Sequence, residues 1–193
     1  PLSKAYVLPK LSDSLEASIL RKMTLSGATL GHFLQKNTKH TVYYRIGGGR
    51  YWKIFTDFQP KFILNKKTST SGRENYLYFA TQAIRDNAIA LLSSSLFYWY
   101  FILTTNCRDL NPSDLNEFPV NFGRFERKFF DSLSNFSVRL MVDYKEHSHL
   151  KEKRSASTGD IIYQEFYPRL SKPILDEIDC ALATISSVLA TAP

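Results

Sequence analysis

Basic and aromatic side chains are concentrated in residues 43–58, a stretch that also contains three consecutive glycines. Aromatic rings can stack on bases or sugars, and Arg and Lys side chains can hold phosphates or read base edges. Side chains alternate between the two faces of a strand, so about half of these rings should be buried. We expect the other face to contact nucleic acid through Arg45, Arg50, Tyr51 and Lys53.

A second basic cluster follows at residues 66–73, where hydroxyl groups are interleaved with cations. Hydroxyls and backbone amides beside Lys and Arg are typical of phosphate contacts, whereas a run of charges by itself is often only a solvated surface. We predict phosphate contacts from Lys66, Lys67, Ser71 and Arg73. Arg108 is a further candidate for a base edge or a phosphate, with a role in ending the preceding helix as the alternative.

The sequence argues against several enzyme classes. No Gly-Lys-Ser or Gly-Lys-Thr follows the triple glycine, so these glycines indicate a hairpin turn rather than a phosphate-binding loop. Asp131, Asp143 and Lys145 imitate the acidic pair and lysine of a nuclease, but they fall on one predicted helix, and that chemistry needs adjacent strands. His147 and His149 lack further metal ligands. We expect no catalytic residue, no metal and no cofactor.

Composition points to a polyanionic partner. The chain has 193 residues, a net charge of +7 and 14% aromatic residues, a balance that favours nucleic acid or an anionic membrane surface. Its longest apolar run, residues 96–103, is far shorter than the roughly 20 residues that span a bilayer. Cys107 and Cys180 are far apart in sequence and suggest a reducing compartment rather than a disulfide framework. We expect a cytoplasmic protein with no membrane contact.

The pattern of apolar residues predicts an α+β fold. β-Branched and aromatic residues favour strands, and apolar residues at helical spacing favour helices. The predicted strands are residues 41–46, 51–55, 61–64, 76–79 and 161–167. The predicted helices begin near Asp13, Thr81, Leu96, Asn111 and Ser171, with the longest at residues 125–150. Residues 66–73 and 151–159 should be exposed loops.

These elements suggest three parts along the chain. Residues 1–40 form a helical lead-in, residues 41–122 an α/β core, and residues 123–193 a helical spacer with a short strand and a C-terminal helix. The core should contain a small, mostly antiparallel sheet covered by helices. The spacer could pack against a larger subunit.

Five segments together carry a family resemblance. They are YYRIGGGRYWKIFTDFQP at residues 43–60, STSGRENYLYF at 69–79, AIALLSSSLFYWYF at 88–101, NCRDLNPSDLNEFP at 106–119 and TGDIIYQEFYPRLSKPILDEID at 158–179. In order and spacing the chain resembles the C-terminal target-recognition region of single-chain bacterial restriction-modification methyltransferases. These are the type IIG and adenine-N6 enzymes, with a TaqI-like specificity domain. The resemblance covers residues 42–179.

The resemblance implies a DNA-recognition module without its own chemistry. In that family an upstream catalytic domain carries a glycine-rich S-adenosylmethionine motif and an Asn-Pro-Pro-Tyr type motif, and neither occurs in this sequence. The module would recognise double-stranded DNA and position a methyltransferase or endonuclease, while the partner flips the base. Two alternatives stay open: a protein-interaction module that docks a methyltransferase subunit, and a degenerate fragment without present activity.

Overall fold

The computed structural model describes residues 9–47 and 52–188. Within this part of the chain, six α-helices accompany two small antiparallel sheets. The predicted α+β class is therefore confirmed. The strands that we expected in one sheet are divided between two.

The first sheet has the strand order β2-β1-β5. Its strands are β1 (His40–Arg45), β2 (Phe55–Thr56) and β5 (Glu74–Phe79). Val42 and Tyr44 of β1 are buried and alternate with partly exposed neighbours, as expected when one face of a strand meets the core. The prediction for β1 is confirmed to within a residue at each end. The returning strand was predicted at residues 51–55 and is observed at Phe55–Thr56, so the prediction is wrong at residues 52–54, and Tyr51 lies outside the described residues.

The second sheet has the strand order β4-β3-β7-β6. Its strands are β3 (Phe62–Leu64), β4 (Lys67–Thr68), β6 (His149–Ser155) and β7 (Gly159–Glu165). Strands β4 and β6 lie in segments that we predicted as loops, and those predictions are wrong at these strands. β6 is an edge strand, where lysines are common, and its charged sequence has little intrinsic strand preference. The pairing of β3 with β7 crosses the division that we predicted between residues 122 and 123.

The helices follow the predicted order, with local capping at their N-termini. They are α1 (Ser14–Thr24), α2 (Gln82–Leu92), α3 (Ser95–Thr104), α4 (Pro112–Asn116), α5 (Arg127–Glu146) and α6 (Lys172–Val188). Short 3-10 helices occupy Leu30–Phe33 and Phe122–Arg124. Side-chain oxygens of Asp13 and Thr81 accept hydrogen bonds from the first turns of α1 and α2. α5 ends earlier than predicted because the following residues join β6.

The hydrophobic core lies between the first sheet and the helices, and it includes residues of α2, α3, α5 and α6. A buried polar contact joins two of these helices: the Asn87 side-chain amide donates to the Phe130 carbonyl at 3.0 Å and to the Ser134 hydroxyl at 2.8 Å. The core therefore supports the first sheet from behind. Among the described residues no single helix could cross a bilayer by length and apolarity; α2 and α3 meet that test only as a pair bent by 67°.

Candidate nucleic-acid interface

The backbone of Ile46 brings three separate segments together at one end of the first sheet. Its N–H donates to the Arg73 carbonyl at 2.9 Å, and its carbonyl accepts from the Leu110 N–H at 2.7 Å. The segments that contain Arg45, Arg73 and Arg108 consequently lie side by side, although they are far apart in sequence. Three of the predicted contact residues are thus collected in one region.

The three arginine side chains at this end of the sheet are exposed. Arg108 is 87% exposed, and its nearest carboxylate, that of Asp109, is 3.9 Å from Nε. An exposed pair at this distance contributes little to stability, so the Arg108 guanidinium can exchange Asp109 for another anion. We call Arg45, Arg73 and Arg108 the arginine cluster.

Gly47 allows the loop that carries Arg108 to approach the first sheet. A Cβ atom at this position would collide with the carboxylate of Asp109. A residue with a side chain would require the Asp109 carboxylate to move. Gly47 therefore allows a close approach of the Asp109 side chain to the first sheet. The predicted turn continues into Gly48 and Gly49, which lie outside the described residues.

Besides Asp109, the carboxylate of Glu74 lies beside the arginine cluster. Glu74 is paired with Arg45 across strands β1 and β5, and it accepts a hydrogen bond from the Gln59 side-chain amide at 3.0 Å. Burial raises the pKa of Glu74 above its usual value, while the bond from Gln59 and the charge of Arg45 act in the opposite direction. This carboxylate partly offsets the positive charge of the cluster.

Lys53 is directed toward protein atoms. Its ammonium donates to the Arg108 carbonyl at 3.2 Å and lies 5.5 Å from the centre of the Phe101 ring. Burial lowers the pKa of Lys53, and the nearby Asp109 carboxylate opposes that shift. The side chain therefore supports the Arg108 loop, and a direct groove contact from Lys53 stays a prediction.

Lys66 and Lys67 lie in the second sheet and not in the arginine cluster. Asn65 and Lys66 form the turn between β3 and β4 with positive φ angles of 49° and 67°, the conformation of a two-residue hairpin loop. Lys67 is the first residue of β4. The segment after β4 then runs back toward Arg73, and its Ser71 carbonyl and hydroxyl accept from the N–H groups of Glu74 and Arg73 at 2.9 and 3.4 Å.

A cleft of about 260 Å³ lies beside this returning segment. Its lining is rich in hydroxyl groups and includes one cation: Gln59, Pro60, Lys61, Phe62, Thr68, Ser69 and Thr70. Sequence reasoning did not select Lys61. The sequence did offer a sign that Lys61 lies near this cleft. Lys61 comes directly before β3, and residues next to β3 must lie near the paired strand β4.

Two other predicted residues, Arg50 and Tyr51, lie outside the described residues. Sequence reasoning also missed cations that the structure places on β6, namely Lys151 and Lys153. The alternation of Lys and Glu at residues 151–153 could have indicated a strand. The segment contains few β-branched or aromatic residues, however, so its strand preference is weak.

The residues considered for nuclease chemistry are engaged elsewhere on α5. Asp131 accepts two hydrogen bonds from Arg127, at 3.0 and 2.9 Å, and Asp143 accepts a hydrogen bond from the Ser171 hydroxyl. Within residues 9–47 and 52–188, no group of three or more His, Cys, Asp or Glu residues could hold a metal ion.

Comparisons with protein-family models, with curated proteins and with solved structures find no match to this chain. The resemblance to target-recognition regions stays a prediction from the sequence.

Proposed function

We propose that this chain is a sequence-specific recognition module for double-stranded DNA that positions a restriction-modification methyltransferase or endonuclease located outside it. The observation that carries the proposal is the arginine cluster, in which backbone hydrogen bonds of Ile46 hold the segments of three exposed arginines side by side. A concentration of exposed cations in one region of a protein is typical of a nucleic-acid site.

The proposed contact residues have different roles. Arg45 and Arg108 read base edges or a groove, because an Arg fork can bind guanine through two hydrogen bonds, worth about 1–3 kcal/mol of discrimination. Arg73 and the residues Lys66, Lys67 and Ser71 contact phosphates, which adds salt-dependent affinity without sequence choice. Arg50 and Tyr51 belong to the same proposal from the sequence alone.

Backbone strain supports this assignment. Among the described residues, those with positive φ other than Gly and Asn are Lys66 at 67° and Cys107 at 62°. An L-residue in this region costs roughly 1–2 kcal/mol, and such strain tends to occur at functional sites. Each of the two lies in, or next to, a candidate contact: Lys66 itself and Arg108.

The test begins with selection of bound duplexes from a random-sequence pool, followed by affinity measurements on the enriched duplex and a scrambled one. Arg45→Ala should weaken the enriched duplex by roughly 1–3 kcal/mol more than the scrambled one. Arg73→Ala should weaken both about equally. Arg127→Ala, on the exposed surface of α5, is the control. If no sequence is enriched, or if Arg45→Ala affects both duplexes equally, the base-reading assignment is wrong.

The chain should neither methylate nor cut DNA by itself, because its sequence lacks the S-adenosylmethionine and Asn-Pro-Pro-Tyr type motifs of the catalytic domain. Incubation of the pure protein with duplex DNA and labelled S-adenosylmethionine measures this. Transfer of label in the absence of another protein would contradict the proposal.

A specific observation also favours the alternative that the chain docks a methyltransferase subunit. α5 exposes Val138 and Val142, which are 50% and 52% exposed and lie one helical turn apart. If docking is the main function, replacing both valines by serine should abolish co-purification with a methyltransferase, and the wild-type chain should shift no duplex in a gel. Duplex binding by the wild-type chain favours DNA recognition instead.

A further inference from the structure

The second sheet stands apart from the hydrophobic core. None of its described residues belongs to the buried core or to the partly buried side chains packed around that core, and among the described residues no helix packs extensively on either of its faces. The central strands β3 and β7 nevertheless carry apolar side chains such as Phe62, Ile161 and Tyr163. A small sheet is stable when an apolar face is covered, so this sheet has a face available to a partner.

The pairing register shows which side chains share a face. Directly paired residues of antiparallel strands project on the same side. Two adjacent rows cross the sheet on one side: Lys67, Leu64, Ile161 and Lys153 in the first row, and Phe62, Tyr163 and Lys151 in the second. We call the side that holds these seven residues the lysine face. It has lysines at both edges and apolar side chains between them.

Charge distinguishes the two faces of the sheet. On the lysine face, the carboxylate among the strand residues is that of Glu165, which lies 3.3 Å from the Lys151 ammonium. The opposite face carries Glu152, Asp160 and Arg154, and Arg154 is bonded to Asp160 at 2.8 Å. Positive charge therefore predominates on the lysine face and negative charge on the other, which suits only the lysine face to a polyanion.

The width of the sheet matches a groove of duplex DNA. Lys67 and Lys153 lie on the two outer strands, three inter-strand spacings apart, which corresponds to about 14 Å between their backbones. The major groove of duplex DNA is about 12 Å wide. Lysines at opposite edges of the sheet can therefore reach the two sugar–phosphate backbones that border one groove.

The tips of the two hairpins in this sheet are joined by hydrogen bonds from a single residue. The Asn65 N–H donates to the Asp160 carbonyl at 2.8 Å, and its side-chain oxygen accepts from the Asp160 N–H at 3.0 Å. Its side-chain amide donates to the Thr158 carbonyl at 3.3 Å. These bonds hold the β3–β4 and β6–β7 hairpins at a constant separation, so the two edges present their lysines as one surface.

We propose that the lysine face is a second phosphate-contact surface of the molecule. It lies across a groove of duplex DNA, with Lys67 on one sugar–phosphate backbone and Lys151 and Lys153 on the other. This inference rests on the proposed DNA-recognition function, and it adds to the arginine cluster a surface whose strand β6 the sequence did not predict.

Lys153 and Arg154 provide a matched pair for the test, because they are adjacent exposed cations on opposite faces of β6. Duplex binding by wild type, Lys153→Gln and Arg154→Gln is measured by fluorescence anisotropy across a range of KCl concentrations. The slope of log affinity against log salt is negative, and Lys153→Gln should make it shallower by about one unit. Lys67→Gln, at the other edge, should have the same effect. Arg154→Gln should leave the slope unchanged. Thermal unfolding of each variant verifies that the fold is retained.

The possible results separate this inference from the proposed function. If Lys153→Gln leaves the slope unchanged while Arg45→Ala and Arg73→Ala weaken binding, the lysine face is refuted and the proposed function stands. Equal effects of Lys153→Gln and Arg154→Gln would also refute it, since they would indicate general attraction rather than contact. Tighter binding of a single strand than of the duplex would overturn the groove assignment. A wild-type chain that binds no duplex overturns both proposals.

Discussion

Glu74 opposes anion binding at the arginine cluster because its carboxylate lies beside Arg45. It lies across from Arg45 in the first sheet and next to Arg73 in sequence. Its carboxylate is held by Gln59, which also donates to the Thr70 hydroxyl at 3.0 Å. Gln59 thereby ties the segment after β4 to the first sheet.

Glu74→Gln removes this charge and keeps an oxygen that can accept from Gln59. Because burial raises the pKa of Glu74 above 4.5, its contribution to stability is fully present below that pH and is lost as the pH rises through the raised pKa. The glutamine side chain does not ionise, so the variant does not lose this stability as the pH rises. The difference in unfolding free energy between variant and wild type should therefore shift in favour of the variant from acid to neutral pH, as measured by urea unfolding, and duplex affinity at neutral pH should increase. A difference that does not change with pH would contradict this.

Lys66 occupies a turn position that suits glycine better than lysine. At φ 67° it follows Asn65, and Asn-Gly is a preferred pair for such two-residue turns. Lys66→Gly should leave the unfolding free energy unchanged or raise it by up to about 1 kcal/mol, since relief of strain competes with the greater freedom of glycine in the unfolded chain. Duplex affinity should fall at the same time.

The comparison variant for this prediction is Lys66→Ala, which removes the same charge and keeps the strain. Both variants should lose similar affinity for the duplex, and the glycine variant should be the more stable of the two. Equal affinity of Lys66→Gly and wild type would show that the lysine is not retained for DNA contact.

At the scale of elements, the second sheet depends on the close approach of its two hairpin tips. Gly159 has a φ of 84°, and a Cβ atom there would collide with the Asn65 side chain. The bonds from Asn65 to Thr158 and Asp160 need this space. The β6–β7 hairpin is therefore positioned by a residue more than 90 places earlier in the chain.

Gly159→Ala should destabilise the second sheet by roughly 1–3 kcal/mol, because it combines a strained backbone with a collision. Since the sheet lies outside the core, the loss should be local: hydrogen exchange of residues 149–165 should accelerate while exchange in α2 and α5 changes little. Gly72→Ala is the control, because nothing lies within 4 Å of the added Cβ. Uniform acceleration across the whole chain would contradict a separately stable second sheet.

At the scale of the whole molecule, the two basic regions predict the salt dependence of binding. The proposed phosphate contacts are those of Arg73, Lys66, Lys67, Lys151 and Lys153. With about 0.9 counterions released per contact, the slope of log affinity against log salt should be roughly −4 to −5. Anisotropy titrations at several KCl concentrations measure it. A slope of about −2.7 would correspond to the three lysines of the lysine face alone, and a slope of about −0.9 to Arg73 of the arginine cluster alone.

Parts of the fold that depend on neighbouring residues could be predicted from the sequence. The N-terminal caps at Asp13 and Thr81, the helical periodicity of α5 and the alternation in β1 are local patterns, and the structure confirms them. The candidate cations were also recognisable, because basic and aromatic residues in polar segments are visible without knowledge of the fold.

Strand β6 could not be predicted in this way. Its residues have weak strand preference, and its conformation depends on pairing with β7, which in turn pairs with β3 about 100 residues earlier. Lys53 is a similar case, since its inward orientation depends on the Arg108 carbonyl and the Phe101 ring. Neither partner is near Lys53 in sequence.

The residue types of the sequence were sufficient to establish the α+β class, most helices and a set of cations suited to a polyanion, because periodicity and charge are local properties. Only the tertiary structure could group those cations into an arginine cluster and a lysine face. That grouping depends on the backbone bonds of Ile46 and the register of four strands, and both join residues that are distant in sequence. Long-range pairing decides which side chains share a surface, and a linear pattern does not contain that information.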